Sequence, residues 1–234
     1  SQVLRTNIPE HLRDPNGRWY GLSVRARTIV YSTERVKQEE LSSYEALAEE
    51  QWRARLCLRT SKSVYNQSLV AMMIALHGEP KTEEIVRGWV ANLATEPFAN
   101  DTRLMEAIVA GQCDVGIVNT YYFGRLQRDK PDQPIRLFWA QLAGDGVHVN
   151  ISGAGVTTSA PHAAEAQKFL EWLSQPEAQG LFAGSNLEYP ASPGVPADPR
   201  VVAWGTFKAS ALNVAKAGEL QATAVRLMDR VGYR

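Results

Sequence analysis

Apolar residues are distributed along this chain in two alternating rhythms. Short runs such as "RTIVYS" (27 to 32), "ARLCLR" (54 to 59) and "CDVGIVN" (113 to 119) have the length and content of buried strands. Longer stretches between them repeat at helical spacing. "SSYEALAEEQWR" (42 to 53) sets Leu47 and Trp52 among acidic residues, and "YNQSLVAMMIALHG" (65 to 78) reads as an apolar helix stopped by Gly78, with Pro80 beyond it. "TEEIVRGWVANLA" (82 to 94) and "DTRLMEAIVAG" (101 to 111) read as two more helices. This order predicts an α/β fold in which mostly parallel sheets are flanked by helices.

The second half has a different rhythm. "GVHVNISGAGVTT" (146 to 158) reads as extended. In "HAAEAQKFLEWLSQPEAQGLFA" (162 to 183), Ala166, Phe169, Leu170 and Leu173 share a helical face, and Pro176 divides or kinks the stretch. A loop rich in proline and glycine, "EYPASPGVPADP" (188 to 199), leads towards a terminal amphipathic helix in "AGELQATAVRLMDRVGY" (217 to 233).

Composition acts mainly by exclusion. The 234 residues, 44% of them hydrophobic, suffice for a sizeable core and stand at the boundary between one large domain and two smaller ones. The 25 basic side chains balance 25 acidic ones, so no long-range field gathers nucleic acid or an anionic membrane, and the partner is small or locally recognised. No apolar run reaches the roughly 18 to 20 residues that span a bilayer. No basic start followed by an apolar core marks a secretion signal, although a processed protein would show none. Two cysteines, Cys57 and Cys113, are too few for a disulfide scaffold or a four-thiolate zinc site. His11, His77, His148 and His162 lack the i, i+4 spacing of a helical metal pair and are expected on the surface or in loops.

The chemistry concentrates in phenols. In "DVGIVNTYYFGRL" (114 to 126) a strand would run directly into Tyr121 and Tyr122. Open α/β sheets bind ligands beyond the carboxyl ends of their strands. The strand before the 65 to 78 helix ends similarly at "RTSKSVYNQ", where Ser61, Ser63, Tyr65 and Asn66 lie at a turn whose N–H groups and hydroxyls suit an anion. Two neighbouring loops would bring three phenols to one cleft. A phenolate is a hard oxygen donor, and its pKa near 10 means that a strong Lewis acid must displace its proton at neutral pH. Hard donors favour hard cations. Ferric iron fits this description, whereas zinc asks for histidine and thiolate, and calcium for clustered carboxylates. Spacing alone leaves open a plainer reading, in which Tyr121 and Tyr122 cap a core with their hydroxyls to solvent.

Four stretches, "GRWYGLSVRARTIVYS", "RTSKSVYNQSLVA", "DVGIVNTYYFGRL" and "GAGVTTSAPHAAEAQKFLEWLSQPEAQ" with "EYP" after it, resemble in order the ferric-ion-binding proteins of bacterial iron ABC transporters. These are type 2 periplasmic binding proteins. The resemblance covers almost the whole chain, and its most specific feature is Tyr65 followed 56 positions later by the Tyr121–Tyr122 pair. It implies a two-lobed type 2 periplasmic binding protein fold with a hinge, and coordination of Fe³⁺ by Tyr65, Tyr121 and Tyr122. It also implies a synergistic anion such as carbonate beside the metal, faced by an arginine of the strand resembling "SVRARTIVY". Arg25 and Arg27 alternate on that strand and point to the same side, so either could serve, with Arg25 favoured. Ser63, Asn119 and Asn100 read as groups supporting the metal or the anion; the two asparagines read equally as turn residues.

By the same resemblance, residues 1–30 and 146–205 would form one lobe and 31–145 the other, with the chain crossing near 28 to 32 and returning near 146 to 156. Residues 206–234 would pack on the second lobe. The implied function is that of a monomeric periplasmic protein that captures ferric iron and delivers it to an inner-membrane ABC permease. The family's opening strand, first helix and next strands, with one further histidine or tyrosine ligand, find no counterpart in "SQVLRTNIPEHLRDPNGRWYGL". The chain is therefore expected to be a fragment, with the apolar face around Phe169 and Leu173 lacking cover. Cys57 precedes Tyr65 and Cys113 precedes Tyr121 on strands that would set the two sulfurs side by side, as a disulfide or as two buried thiols. The competing readings are a binding protein of the same fold for a polyamine, thiamine or phosphonate, and an enzyme with Cys113 as nucleophile.

Overall fold

The computed structural model describes residues 1–141 and 144–234. In chain order its elements are α1 (Gln2–Asn7), β1 (Tyr20–Ser32), β2 (Leu56–Cys57), α2 (Val64–His77), α3 (Glu79–Ala91), α4 (Asp101–Val109), β3 (Val115–Asn119) and α5 (Thr120–Asp129). After these come β4 (Ile135–Phe138), β5 (Val149–Ala154), α6 (Ala163–Leu173), α7 (Pro176–Asn186), β6 (Tyr189–Pro190), α8 (Pro199–Val202), α9 (Ala215–Glu219) and α10 (Gln221–Arg230). They fall into two compact units. The first comprises Ser1–Arg25, Val149–Thr206 and Ala211–Ala215; the second comprises Ala26–His148, Phe207–Ser210 and Lys216–Arg234. On β1 the change falls between Arg25 and Ala26, upstream of the expected 28 to 32, because Arg27 to Tyr31 are already laddered to β3.

The second unit carries the strand order β2-β3-β1-β4. β2 pairs with β3 in parallel, but β1 is antiparallel to both β3 and β4, so the ladders are mixed rather than mostly parallel. The reason lies in the long strand β1. Parallel neighbours need a crossover, which α2 to α4 supply between β2 and β3, while β1 inserts between β3 and β4 and opposes both. α2 is apolar around its circumference, which calls for burial on every side. Leu69 through Ile74 are accordingly buried, and α3 and α10 pack against the helix. Gly78 adopts φ 80°, closes α2 through its N–H to the Ile74 carbonyl, and opens α3, so Pro80 begins a helix instead of marking a gap. At Gly116 a Cβ would stand 2.5 Å from Leu104 Cδ2 and 2.8 Å from the Cys57 carbonyl, so only glycine lets α4 lie this close to the sheet.

The stretch 42 to 53 is not a helix. It forms two 3-10 turns, Glu45–Ala48 and Glu50–Trp52. α3 supplies the cause: Trp89 Nε1 donates to the Tyr44 carbonyl at 2.8 Å, and Asn92 Nδ2 donates to the carbonyls of Leu47 and Glu49 at 2.9 and 2.8 Å. The Tyr44 and Glu49 carbonyls also accept locally from Leu47 N and Trp52 N, so the outside donors add to short i+3 turns where a continuous helix would have supplied the second partner. His148, expected on the surface or in a loop, lies in the loop before β5 but is buried, with Nε2 3.4 Å from Ser68 Oγ. Cys57 and Cys113 are joined as a disulfide, which settles the two sequence alternatives. In the chain-entropy account, closing a loop of this length contributes about 4 kcal/mol.

In the first unit β1 pairs antiparallel with β6, Ser23 facing Pro190 and Val24 facing Tyr189. Pro176 separates α6 from α7 and stands in the first turn of the latter. Gln179 is fully buried and makes four bonds: Nε2 to the carbonyls of Leu22 and Leu173, and Oε1 from the N–H groups of Ala191 and Ser192. Of the four apolar residues expected on one face of α6, Leu170 is buried while Phe169 is 58% exposed. Phe169 stacks on Trp172, which borders an apolar depression of about 350 Å³ with Leu173, Ala178 and Leu181.

Candidate metal centre

The tyrosines occupy helix starts. Tyr65 lies in the first turn of α2, and Tyr121 and Tyr122 lie in the first turn of α5, immediately after β3 ends at Asn119. Because β2 and β3 are parallel neighbours, both helix starts emerge at the same end of the sheet. The Tyr121 hydroxyl donates to the Tyr65 hydroxyl at 3.1 Å, and the Tyr121 and Tyr122 ring centroids are 4.4 Å apart. Tyr121 is buried, while Tyr65 and Tyr122 are half-buried. Ser63 caps α2, its Oγ accepting from Tyr65 N at 3.3 Å.

Two guanidinium groups flank the phenols. Arg59 stands 5.0 Å from the Tyr65 ring centroid and 6.0 Å from that of Tyr122; Arg125 stands 5.0 Å from Tyr121 and 5.7 Å from Tyr122. The pKa of Tyr121 is raised above the ordinary phenol value. Burial is the largest cause, followed by the hydrogen bonds to Tyr65 and Tyr122, with the neighbouring Asn119 amide opposing them. Tyr121 is therefore a neutral phenol at physiological pH until something displaces its proton.

Beneath the phenols lies a buried polar network centred on Arg27. Its Nε and Nη2 donate to Asn66 Oδ1 at 3.0 and 2.6 Å, Nη2 also donates to the Ile117 carbonyl, and Nη1 donates to Asp101 Oδ2 and Asn119 Oδ1, both at 3.1 Å. These five bonds use all five guanidinium N–H donors. Arg27 therefore has no donor left for an anion, which corrects one of the two expected anion contacts. It ties together Asn66, next to Tyr65, and Asn119, two residues before Tyr121. Asp101 closes the network by accepting from Asn119 N at 2.8 Å and lying 3.5 Å from Arg59 Nη1.

The other expected residues are placed as follows. Arg25 belongs to the first unit and donates from Nη1 to Ser152 Oγ at 2.8 Å. Asn100 caps α4, accepting from Arg103 N at 2.9 Å, so its neighbour Asp101 is the residue that enters the network. Cys113 is held in the disulfide and offers no nucleophilic thiol. Sequence reasoning missed Arg59, Arg125 and Asp101, and it set Asn66 at an anion-facing turn, whereas Asn66 is buried and accepts from Arg27. Only Arg125 carried a usable signal, since it stands three and four positions after the tyrosine pair on one helix. Among the described residues, no group of three or more His, Cys, Asp or Glu side chains is arranged to hold a metal. No helix among them is long and apolar enough to cross a membrane.

Comparison with known proteins fits this picture. A family described as "Bacterial extracellular solute-binding protein" matches residues 2–215. Iron uptake protein A2 of Synechocystis sp. is 47% identical over 242 residues, covering 100% of this chain and 70% of that relative. The solved structure of apo FutA2 from Synechocystis superposes with a TM-score of 0.97 at 47% identity, covering 100% of this chain and 77% of that one. A Trichodesmium IdiA (FutA) structure in complex with iron and citrate superposes with a TM-score of 0.97 at 43% identity, covering 100% and 76%. The fold is thus the two-lobed α/β arrangement of the ferric-binding proteins, and the relatives are transport proteins, not enzymes. The chain belongs to the family of bacterial extracellular solute-binding proteins.

Proposed function

We propose that this chain is a periplasmic solute-binding protein that captures ferric iron through the phenolates of Tyr65, Tyr121 and Tyr122 and, as a monomer, delivers it to an inner-membrane ABC permease. The observation that carries the reading is the Tyr121 hydroxyl 3.1 Å from that of Tyr65, with the Tyr122 ring packed alongside. The similarity to an iron uptake protein and to a structure holding iron and citrate supports it.

Each phenol surrenders a proton as the metal binds, and three phenolates balance the three charges of the ion. The amino-terminal dipoles of α2 and α5 favour negative charge at their first turns, and Arg59 and Arg125 add to that preference. Arg27 is fully engaged and has no donor left for an accompanying anion such as carbonate. Behind the phenols, Arg27, Asp101 and Asn119 hold the helix starts in place. The test is iron retention. Loaded from ferric citrate and dialysed, the parent chain should keep stoichiometric iron, and a Tyr65→Phe/Tyr121→Phe/Tyr122→Phe variant should keep none. Equal retention by both would remove the phenols from the site.

A further inference from the structure

The disulfide stands in a fixed relation to the tyrosines. The separation along the chain is 56 residues for Cys57 and Cys113 and 56 for Tyr65 and Tyr121, so each tyrosine lies equally far downstream of the bond. Cys57 is part of β2, and Cys113 lies just ahead of β3. The β2–β3 ladder itself has only two residue pairs, Leu56 with Val115 and Cys57 with Gly116, whereas five pairs hold β3 to β1. On its other edge β2 is bonded to the segment 92–98, and towards β3 the Arg55 carbonyl also accepts from Asp114 N and Val115 N, so β2 is held on both sides but tied to β3 itself over fewer positions than β3 is to β1. A slip of one residue moves a strand by roughly 3.3 Å, several times the tolerance of about 0.5 Å within which a functional constellation must be held. The disulfide is the covalent tie that reinforces this short ladder between the two strands leading into Tyr65 and Tyr121.

We propose that the Cys57–Cys113 disulfide is a positioning element of the tyrosine site, and that it confines strong ferric binding to chains that have been oxidised. The inference rests on the tyrosine-site reading. Formation of the bond is a thiol–disulfide exchange with a disulfide donor: the two protein thiols become one disulfide, and the donor leaves as two thiols carrying both protons and both electrons. Cys57 and Cys113 are 0% and 2% exposed, so exchange takes place while the strands are still assembling, and the finished bond is shielded from thiols in solution. A chain still in a reducing compartment would have the phenols without this covalent tie between their strands. Iron would then be taken up only after transfer to an oxidising compartment.

A Cys57→Ala/Cys113→Ala variant tests this without thiols that ferric iron could oxidise. Ferric affinity and the visible phenolate band are measured on the full chain well below its melting temperature, with circular dichroism confirming the fold. The expected result is at least a tenfold loss of affinity with a displaced band, while the parent chain refolded with oxidised glutathione keeps both. A lower melting temperature with affinity within twofold of the parent and an unmoved band would overturn the proposal, leaving the bond a staple of stability alone. If the alanine pair does not fold, Cys57→Ala/Cys113→Val refills the buried space, and sucrose stabilises the folded state for the same two readings. An oxidised parent chain that shows no ferric band at all would overturn the tyrosine site and this inference with it.

Discussion

Tyr121 is where the environment bears most directly on the chemistry. Its raised pKa, caused first by burial and then by its hydrogen bonds to Tyr65 and Tyr122, means that ferric binding must expel a tightly held proton. Metal affinity then rises with pH, because every phenolate formed releases one proton. Between pH 8 and pH 5, the affinity measured in competition with citrate should fall continuously; a flat profile would show that phenolates are not the donors. That the three tyrosines lie together was expected from their place at strand ends, whereas spacing alone left a core-capping role open and the ligand role came from the family resemblance. The fate of Arg27 was not legible in the sequence. Strand alternation correctly assigns its face, but only the fold reveals that Asn66, Asp101, Asn119 and the Ile117 carbonyl take up its donors.

At the scale of elements, the decisive relation is between the starts of α2, α4 and α5 and the residue of β1 that binds all three. Arg27 and Asp101 are buried together, 2% and 0% exposed, and breaking such a pair leaves an uncompensated charge. Arg27→Ala should therefore cost about 3 to 5 kcal/mol in denaturant unfolding. Arg27→Lys should recover little of this, since an ammonium cannot reproduce the planar fork. An anion-binding arginine would behave differently, losing ferric affinity with little change in stability, and that outcome would contradict the network role. Helices with a strong apolar pattern were read correctly, α2 above all. The stretch 42 to 53 was misread because Trp89 and Asn92, more than thirty positions away, donate to its carbonyls, and no local pattern announces a distant donor. Asn100 was chosen over Asp101 because a cap and a buried network member stand side by side at one helix start.

Across the whole molecule, sequence order conveyed the α/β class but not the ladder directions, because apolar runs carry no sign of which neighbour a strand will meet. β1, whose residues are divided between both units, makes the sheet of the second unit mixed. Global stability carries its own pH signature. Tyr44, Tyr189 and Tyr233 join Tyr121 in having pKa values raised by burial above the ordinary phenol value. A raised acid favours the folded state while it remains protonated, so its contribution is complete below the unfolded pKa of about 10 and is lost as pH climbs beyond it. The denaturation midpoint should therefore drop steeply above about pH 10, tracked by circular dichroism together with tyrosinate absorbance. A midpoint unchanged to pH 11.5 would mean that these phenols are not protected by the fold.

The central claim, that phenolates hold the cargo, is tested most directly by the visible absorption spectrum of the protein titrated with ferric citrate. A charge-transfer band should grow to saturation at one iron per chain and should shift or weaken in Tyr121→Phe and in Tyr122→Phe. Stoichiometric iron binding without such a band, or with a band that neither substitution alters, would contradict it.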